Sequence, residues 1–163
     1  MMFKTALIDQ TTELLDICKR LNITLTTAES CTGGMISALL TEIPGSSAVI
    51  HQSYVTYANT AKHAILGVAS DILKDKGAVS EEVVRAMAEG AVMISGAHIS
   101  VAVSGIAGPD GGTTDKPVGT VHFATHYISE TTHDCQHFGD LGRHEVRMAT
   151  VEHAINMLVN RLN

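Results

Sequence analysis

The sequence predicts a layered α/β fold, and three observations predict it. Short β-branched or apolar runs alternate along the chain with stretches whose apolar residues recur at helical spacing. Hydrophobic residues make up 45% of the chain but aromatics only 4%, with 14 glycines, so small aliphatic side chains fill the core, as in closely packed α/β layers. A length of 163 residues with 17% charged residues suits one domain, 1–163, with a substantial core that needs no disulfide or metal staple.

The elements follow in order. Leu7, Leu14, Leu15, Cys18 and Leu21 fall close to a 3.6-residue period and predict an amphipathic helix over 5–21. Ile23 to Thr27 is β-branched and reads as a strand. A helix over 33–42 stops at Ile43-Pro44-Gly45, because proline disfavours helix at the residue before it. Ser46 to Tyr57 reads as one strand or two strand segments. Asn59 is placed as the N-cap of a short helix that Gly67-Val68 ends, with Lys62 at its third position. Another short helix runs from Asp71 to Lys76. Ser80-Glu81-Glu82 is a capped, acidic start for a long helix over 81–95, with Val84, Met87, Ala88 and Ala91 facing the core. Ile99 to Ser104 is a nearly continuous small apolar strand, as expected where helices cover both faces of a sheet. Val118–Tyr127 and Thr131–Phe138 are predicted to pair as a hairpin of loose turn type, and a helix over 143–160 closes the chain.

Charge and cysteine usage exclude several function classes. A formal charge of −6 lacks the basic field that non-specific binding to nucleic acid or to an anionic membrane requires. The three cysteines, Cys18, Cys31 and Cys135, are widely spaced with no CxxC, which argues against a disulfide framework and for a reducing, cytoplasmic setting. No apolar run near the start is long enough for a signal peptide or a membrane span.

The chemistry concentrates where strands run into helices. Ser30 leaves a strand and is followed by Cys31, Thr32, Gly33 and Gly34. These positions read as the first free amides of a helix, placed to stabilise an oxyanion or a phosphate beside the hydroxyl. Tyr57 and Lys62 flank the next such corner, and corners of this kind gather at one edge of an α/β sheet. A Ser–Lys pair then emerges, in which the lysine must be neutral to act as base. Ser104, Gly105 and Gly108 belong to a third strand end and a glycine-rich loop. That loop matches neither Gly-x-Gly-x-x-Gly nor a P-loop, yet glycines there permit close approach of a ligand. Nine histidines raise a metal reading. His133, Cys135 and His137 share one strand face and His122 and His126 share one on its neighbour, but no helix carries a His-x-x-x-His pair. No Gly-x-Ser-x-Gly elbow supports a Ser-His-Asp triad.

Six blocks occur in a fixed order: Thr-Ala-Glu-Ser-Cys-Thr-Gly-Gly (27–34), Pro-Gly-Ser-Ser (44–47), Val-Thr-Tyr-Ala-Asn-x-x-Lys (55–62), Gly-Ala-Val-Ser-Glu (77–81), Ser-Gly-Ile-Ala-Gly-Pro-Asp-Gly-Gly (104–112) and Lys-Pro-Val-Gly-Thr-Val (116–121). In these blocks the chain closely resembles the C-terminal domain of the competence-damage-inducible CinA family. The resemblance implies a three-layer α/β/α sandwich with a mixed, mostly buried sheet, usually dimeric, with no metal and no cofactor. It implies an amidase that hydrolyses nicotinamide mononucleotide (NMN) to nicotinic acid mononucleotide and ammonia. Ser30 matches the family's nucleophile, and Tyr57 and Lys62 match its activating partners. The expected substrate-binding residues are Cys31, Thr32, Gly33, Gly34, Asn59, Ser104, Gly105, Gly108 and Arg143. Many relatives carry an extra N-terminal domain, which a chain of this length is too short to contain. The family's Phe-x-Gly-Asp-Arg segment is replaced by Phe138-Gly139-Asp140-Leu141-Gly142-Arg143, and anchoring on Val146-Arg147 makes Arg143 the counterpart arginine for phosphate. The competing readings are a non-catalytic nucleotide-binding or interaction domain of the same fold and a metal-dependent hydrolase.

Overall fold

A computed structural model describes residues 2–163. The elements run α1 (Thr5–Leu21), β1 (Leu25–Glu29), α2 (Met35–Glu42), β2 (Ile50–Val55), α3 (Asn59–Leu66), α4 (Ser70–Lys76), α5 (Glu81–Ser95), β3 (Ile99–Gly105), β4 (Thr120–Tyr127), β5 (Glu130–His137) and α6 (Arg143–Leu162). The five strands form one mixed sheet in the order β2-β1-β3-β4-β5. β1 is parallel to both β2 and β3, whereas β4 is antiparallel to β3 and to β5. Helices α1, α2 and α6 pack together over one face, and α5 lies on the other with α3 and α4 against it. The result is the expected three-layer α/β/α sandwich.

The two faces are filled differently, and the register shows why. Ala28, Ala102 and Ala124 are paired neighbours across β1, β3 and β4. They form a shallow row of methyl groups in the cluster that holds Val83, Val84, Met87, Ala88 and Ala91 of α5. Small side chains there let the α5 backbone come close, and Gly90 carries the approach further. A Cβ at Gly90 would stand 2.0 Å from the Leu66 carbonyl oxygen at the end of α3. The opposite face holds larger residues, among them Leu25, Val101, Val103, Val121 and Phe123, packed against leucines and isoleucines of α1, α2 and α6.

Several boundaries shift for local reasons. The first strand covers Leu25–Glu29 rather than 23–27, so its last residue is a fully buried glutamate. Gly33 and Gly34 lie outside α2 with φ of +60° and +96°, a left-handed turn that glycine enters without Cβ strain. Ser46–Ala48 is a short 3-10 turn, not strand. Ala58, not Asn59, precedes α3, and its carbonyl accepts the first helical amides of Ala61 and Lys62. The hairpin turn is tight rather than loose. Tyr127 pairs with Glu130, so only Ile128 and Ser129 connect the strands, with φ of +48° and +64° as a type I′ turn requires.

Candidate active site

The parallel strands β1, β2 and β3 deliver their C-terminal ends to one edge of the sheet, which is where open α/β sheets build ligand sites. Ser30 follows β1 directly and is tied down by its N–H, which donates to the Val103 carbonyl of β3 at 3.1 Å. Its side chain is only 8% exposed.

Lys62 enters from α3. Because helical side chains lean toward the N-terminus, a lysine at the fourth position reaches back under the start of its own helix. Its amine donates to the carbonyls of Thr56 at 2.8 Å and Tyr57 at 3.1 Å, and lies 3.0 Å from the Ser30 hydroxyl oxygen. Lys62 has no solvent exposure, and among the described residues none of its hydrogen-bond partners is a carboxylate. Burial therefore pushes the amine below the ordinary lysine range. In its neutral form the amine has two N–H bonds and one lone pair. The two carbonyls match the N–H bonds, and the hydroxyl of Ser30 is the remaining neighbour, positioned to give up a proton. The Thr56 hydroxyl is buried beside this group without a hydrogen-bond partner of its own.

The nearest alternative nucleophile is Cys31. Burial raises its thiol to about 12, with Glu29 adding to the rise, so the sulfur stays protonated and unreactive near neutral pH.

The amides that follow Ser30 are partitioned in a way the sequence did not suggest. Glu29 is fully buried, and its carboxylate accepts from the hydroxyls of Thr27 and Thr32 and from the N–H groups of Gly34, Ile36 and Ser37 at 2.6 to 3.3 Å. Of the amides expected to face a ligand that carboxylate takes one, Gly34 N–H, together with those of Ile36 and Ser37 in the first turn of α2. Gly33 N–H closes the turn on Ser30 O at 3.1 Å. Two amides remain. The N–H groups of Cys31 and Thr32 meet no oxygen acceptor among the described residues.

Arg143, the first residue of α6, spans the rim. Its guanidinium donates to the Gly108 carbonyl and to the Tyr57 hydroxyl, each at 3.0 Å. Tyr57 is 59% exposed and reaches Lys62 through its carbonyl alone, so its phenol belongs to the rim and not to the Ser30–Lys62 pair. Gly105 ends β3 against Val121 of β4, where a Cβ would stand 2.5 Å from a valine methyl. Ser104 is buried one residue earlier, opposite His122. Asn59 stands apart. It lines a cavity of about 540 Å³ on the outer side of α3 and α4, with His63, Leu73 and Lys74, and neither Ser30 nor Lys62 borders that cavity.

The hairpin histidines sit in register on one face. His122 lies opposite Cys135, its Nδ1 is 3.0 Å from His133 Nε2, and the thiol is 3.6 Å from His122 Nε2. Among the described residues no group of three or more His, Cys, Asp or Glu side chains is arranged to hold a metal ion.

Comparison with known proteins decides the ancestry of this arrangement. The model of the CinA C-terminal domain matches residues 8–162. The chain belongs to the CinA family. A CinA-like protein of Geotalea uraniireducens is 46% identical over 156 residues, covering 93% of this chain and 36% of its own length. A protein of Enterobacter agglomerans named nicotinamide-nucleotide amidohydrolase PncC is 57% identical over 99 residues, covering 61% of this chain and 60% of its own length. The crystal structure of competence/damage inducible protein CihA from Agrobacterium tumefaciens superposes with a TM-score of 0.95 at 45% identity, covering 97% of this chain and 96% of that one. The chain spans only about a quarter to a third of the length of several CinA-like relatives, 24% and 36% in two cases. Among the described residues no helix is long and apolar enough to cross a membrane.

Two residues that matter to the geometry, Glu29 and Arg147, were not selected from the sequence. Arg147 of α6 donates from Nε to the Cys31 carbonyl at 3.1 Å and from Nη2 to the Thr32 carbonyl at 2.8 Å. The signal for Glu29 is local, an acidic residue just ahead of unpaired helix amides. Arg147 entered the sequence reading only as half of the Val146-Arg147 anchor, and its role could not be read there because its partners lie more than 100 residues away.

Proposed function

We propose that this chain hydrolyses the carboxamide of NMN to nicotinic acid mononucleotide and ammonia through an acyl-enzyme on Ser30. The supporting observation is the uncharged surroundings of the Lys62 amine, 3.0 Å from the Ser30 oxygen. The family membership and the PncC relative's name support a nicotinamide nucleotide as substrate class. Lys62 takes the Ser30 proton as Oγ attacks the carboxamide carbon, and the N–H groups of Cys31 and Thr32, which meet no oxygen acceptor among the described residues, receive the charge that grows on the carbonyl oxygen. Lys62 then returns the proton to the departing nitrogen, so that ammonia rather than amide anion leaves. Water cleaves the nicotinoyl ester by the same exchange in reverse. Arg143, held at the rim by Gly108 and Tyr57, offers a planar cation to the 5′-phosphate.

The test is ammonia release from NMN, NAD, nicotinamide riboside and free nicotinamide side by side, with Ser30→Ala as control. Turnover of NMN that disappears in Ser30→Ala, together with a trapped Ser30 adduct seen by mass spectrometry, is the expected result. Full turnover by Ser30→Ala, or no release from any of the four by the wild type, overturns it.

A further inference from the structure

We propose that Arg147 is a positioning residue that aims the Thr32 N–H at the oxyanion. This deepens the reading above and rests on it for the identity of the substrate, though not for the reactivity of Ser30.

In a planar trans peptide the C=O and N–H point in opposite directions. Fixing the Cys31 oxygen therefore fixes the Thr32 N–H, one of the two amides beside Ser30 that have no oxygen acceptor among the described residues. Arg147 does this with two donors in a rigid fork, on the Cys31 and Thr32 carbonyls. The second contact fixes the Thr32–Gly33 peptide, whose N–H closes the turn on Ser30 O. A guanidinium on a carbonyl oxygen also polarises that peptide and makes its N–H a stronger donor. Among the described residues Arg147 forms no ion pair with a carboxylate, although its side chain is half-buried. Its positive charge is thus directed at the turn instead of being neutralised elsewhere. Glu29 anchors the same turn from the other side through Thr32, Gly34, Ile36 and Ser37. Between them the two charged groups hold the turn from both sides, while the Cys31 and Thr32 amides next to the nucleophile meet no oxygen acceptor among the described residues.

The experiment compares the wild type with Arg147→Lys and Arg147→Gln in two assays. One is the rate of Ser30 phosphonylation by a fluorophosphonate. In that reaction a Ser30 Oγ–P bond forms, the P–F bond breaks, the serine proton goes to Lys62, and charge builds on the phosphoryl oxygen. The other is kcat and KM for NMN. Loss of one oxyanion donor costs about a hundredfold in rate, so both variants should phosphonylate at least about tenfold more slowly. They should lose kcat by a similar factor, with KM for NMN nearly unchanged and with an unchanged far-UV spectrum. Lysine, a point donor without the fork, should not restore the arginine rate. Phosphonylation at the wild-type rate in both variants overturns the proposal. So does a rise in KM for NMN but not for the riboside, which would make Arg147 a phosphate ligand. If the wild type is phosphonylated but releases no ammonia, the amidase reading fails while the phosphonylation rates still decide the role of Arg147.

Discussion

Two buried ionisable side chains stand at neighbouring corners of the sheet, and their surroundings are opposite. The Glu29 carboxylate, at the end of β1, accepts from five donors, three of them backbone amides. The Lys62 amine, at the start of α3, is buried as deeply but is met only by two carbonyls and a hydroxyl. Burial alone does not set the role of an ionisable group; the number and sign of its partners do. Glu29 is saturated and serves as an anchor for the turn. Lys62 is stripped of water without a carboxylate partner, which disfavours its charged form and lowers the cost of giving up a proton.

The contrast breaks most decisively at Lys62. Lys62→Met keeps the apolar stem and removes the amine. The expected loss of NMN hydrolysis is about a thousandfold or more, while the melting temperature should fall modestly, because the Thr56 and Tyr57 carbonyls lose their donor. A variant that retains activity would show that the two corners do not differ in the proposed way. Glu29→Gln tests the other corner. It places an amide NH2 against groups that are already donors, and the expected cost is about 2–3 kcal/mol, read by urea denaturation.

The remaining effects are smaller. Arg143→Ala is expected to raise KM for NMN about tenfold and to change turnover of the riboside less, since only the phosphate should feel the missing cation. The mildest readout is the pH dependence of stability. The folded amine of Lys62 sits below its unfolded value near 10.5. In that interval the unfolded chain binds more protons than the folded one, so stability rises with pH from the folded value up to about 10.5 and gains nothing beyond it. Lys62→Met should flatten this rise.

How much of this was legible in the chain depends on the range of the interaction involved. Helices 5–21 and 81–95 were read at their observed ends, because their signals are local: apolar periodicity in both and a Ser80 hydroxyl that caps Val83 N–H at 3.4 Å. The α/β layering was legible for the same reason. Ser30 and Lys62 were legible as residues at strand-to-helix corners, and it takes only a parallel β1–β2 pair to bring two such corners together. What could not be read was the competition for amides. The amides of Gly33 and Gly34 look free in one dimension, whereas in the fold the Ser30 carbonyl takes the first and Glu29 the second. Tyr57 is a similar case. The family resemblance implied that it helps Lys62 activate the serine, but the backbone turn at Thr56 and Tyr57 presents carbonyls to the amine and leaves the ring at the rim.

The order in which these parts are synthesised adds one more consequence. The serine and its lysine are separated by 32 residues, whereas the two arginine contacts to the turn span 116 and 115. The side chains of Ser30 and Lys62 can therefore meet once α3 follows β1, whereas the turn beside Ser30 is held by Arg147 only when α6 docks, more than a hundred residues later.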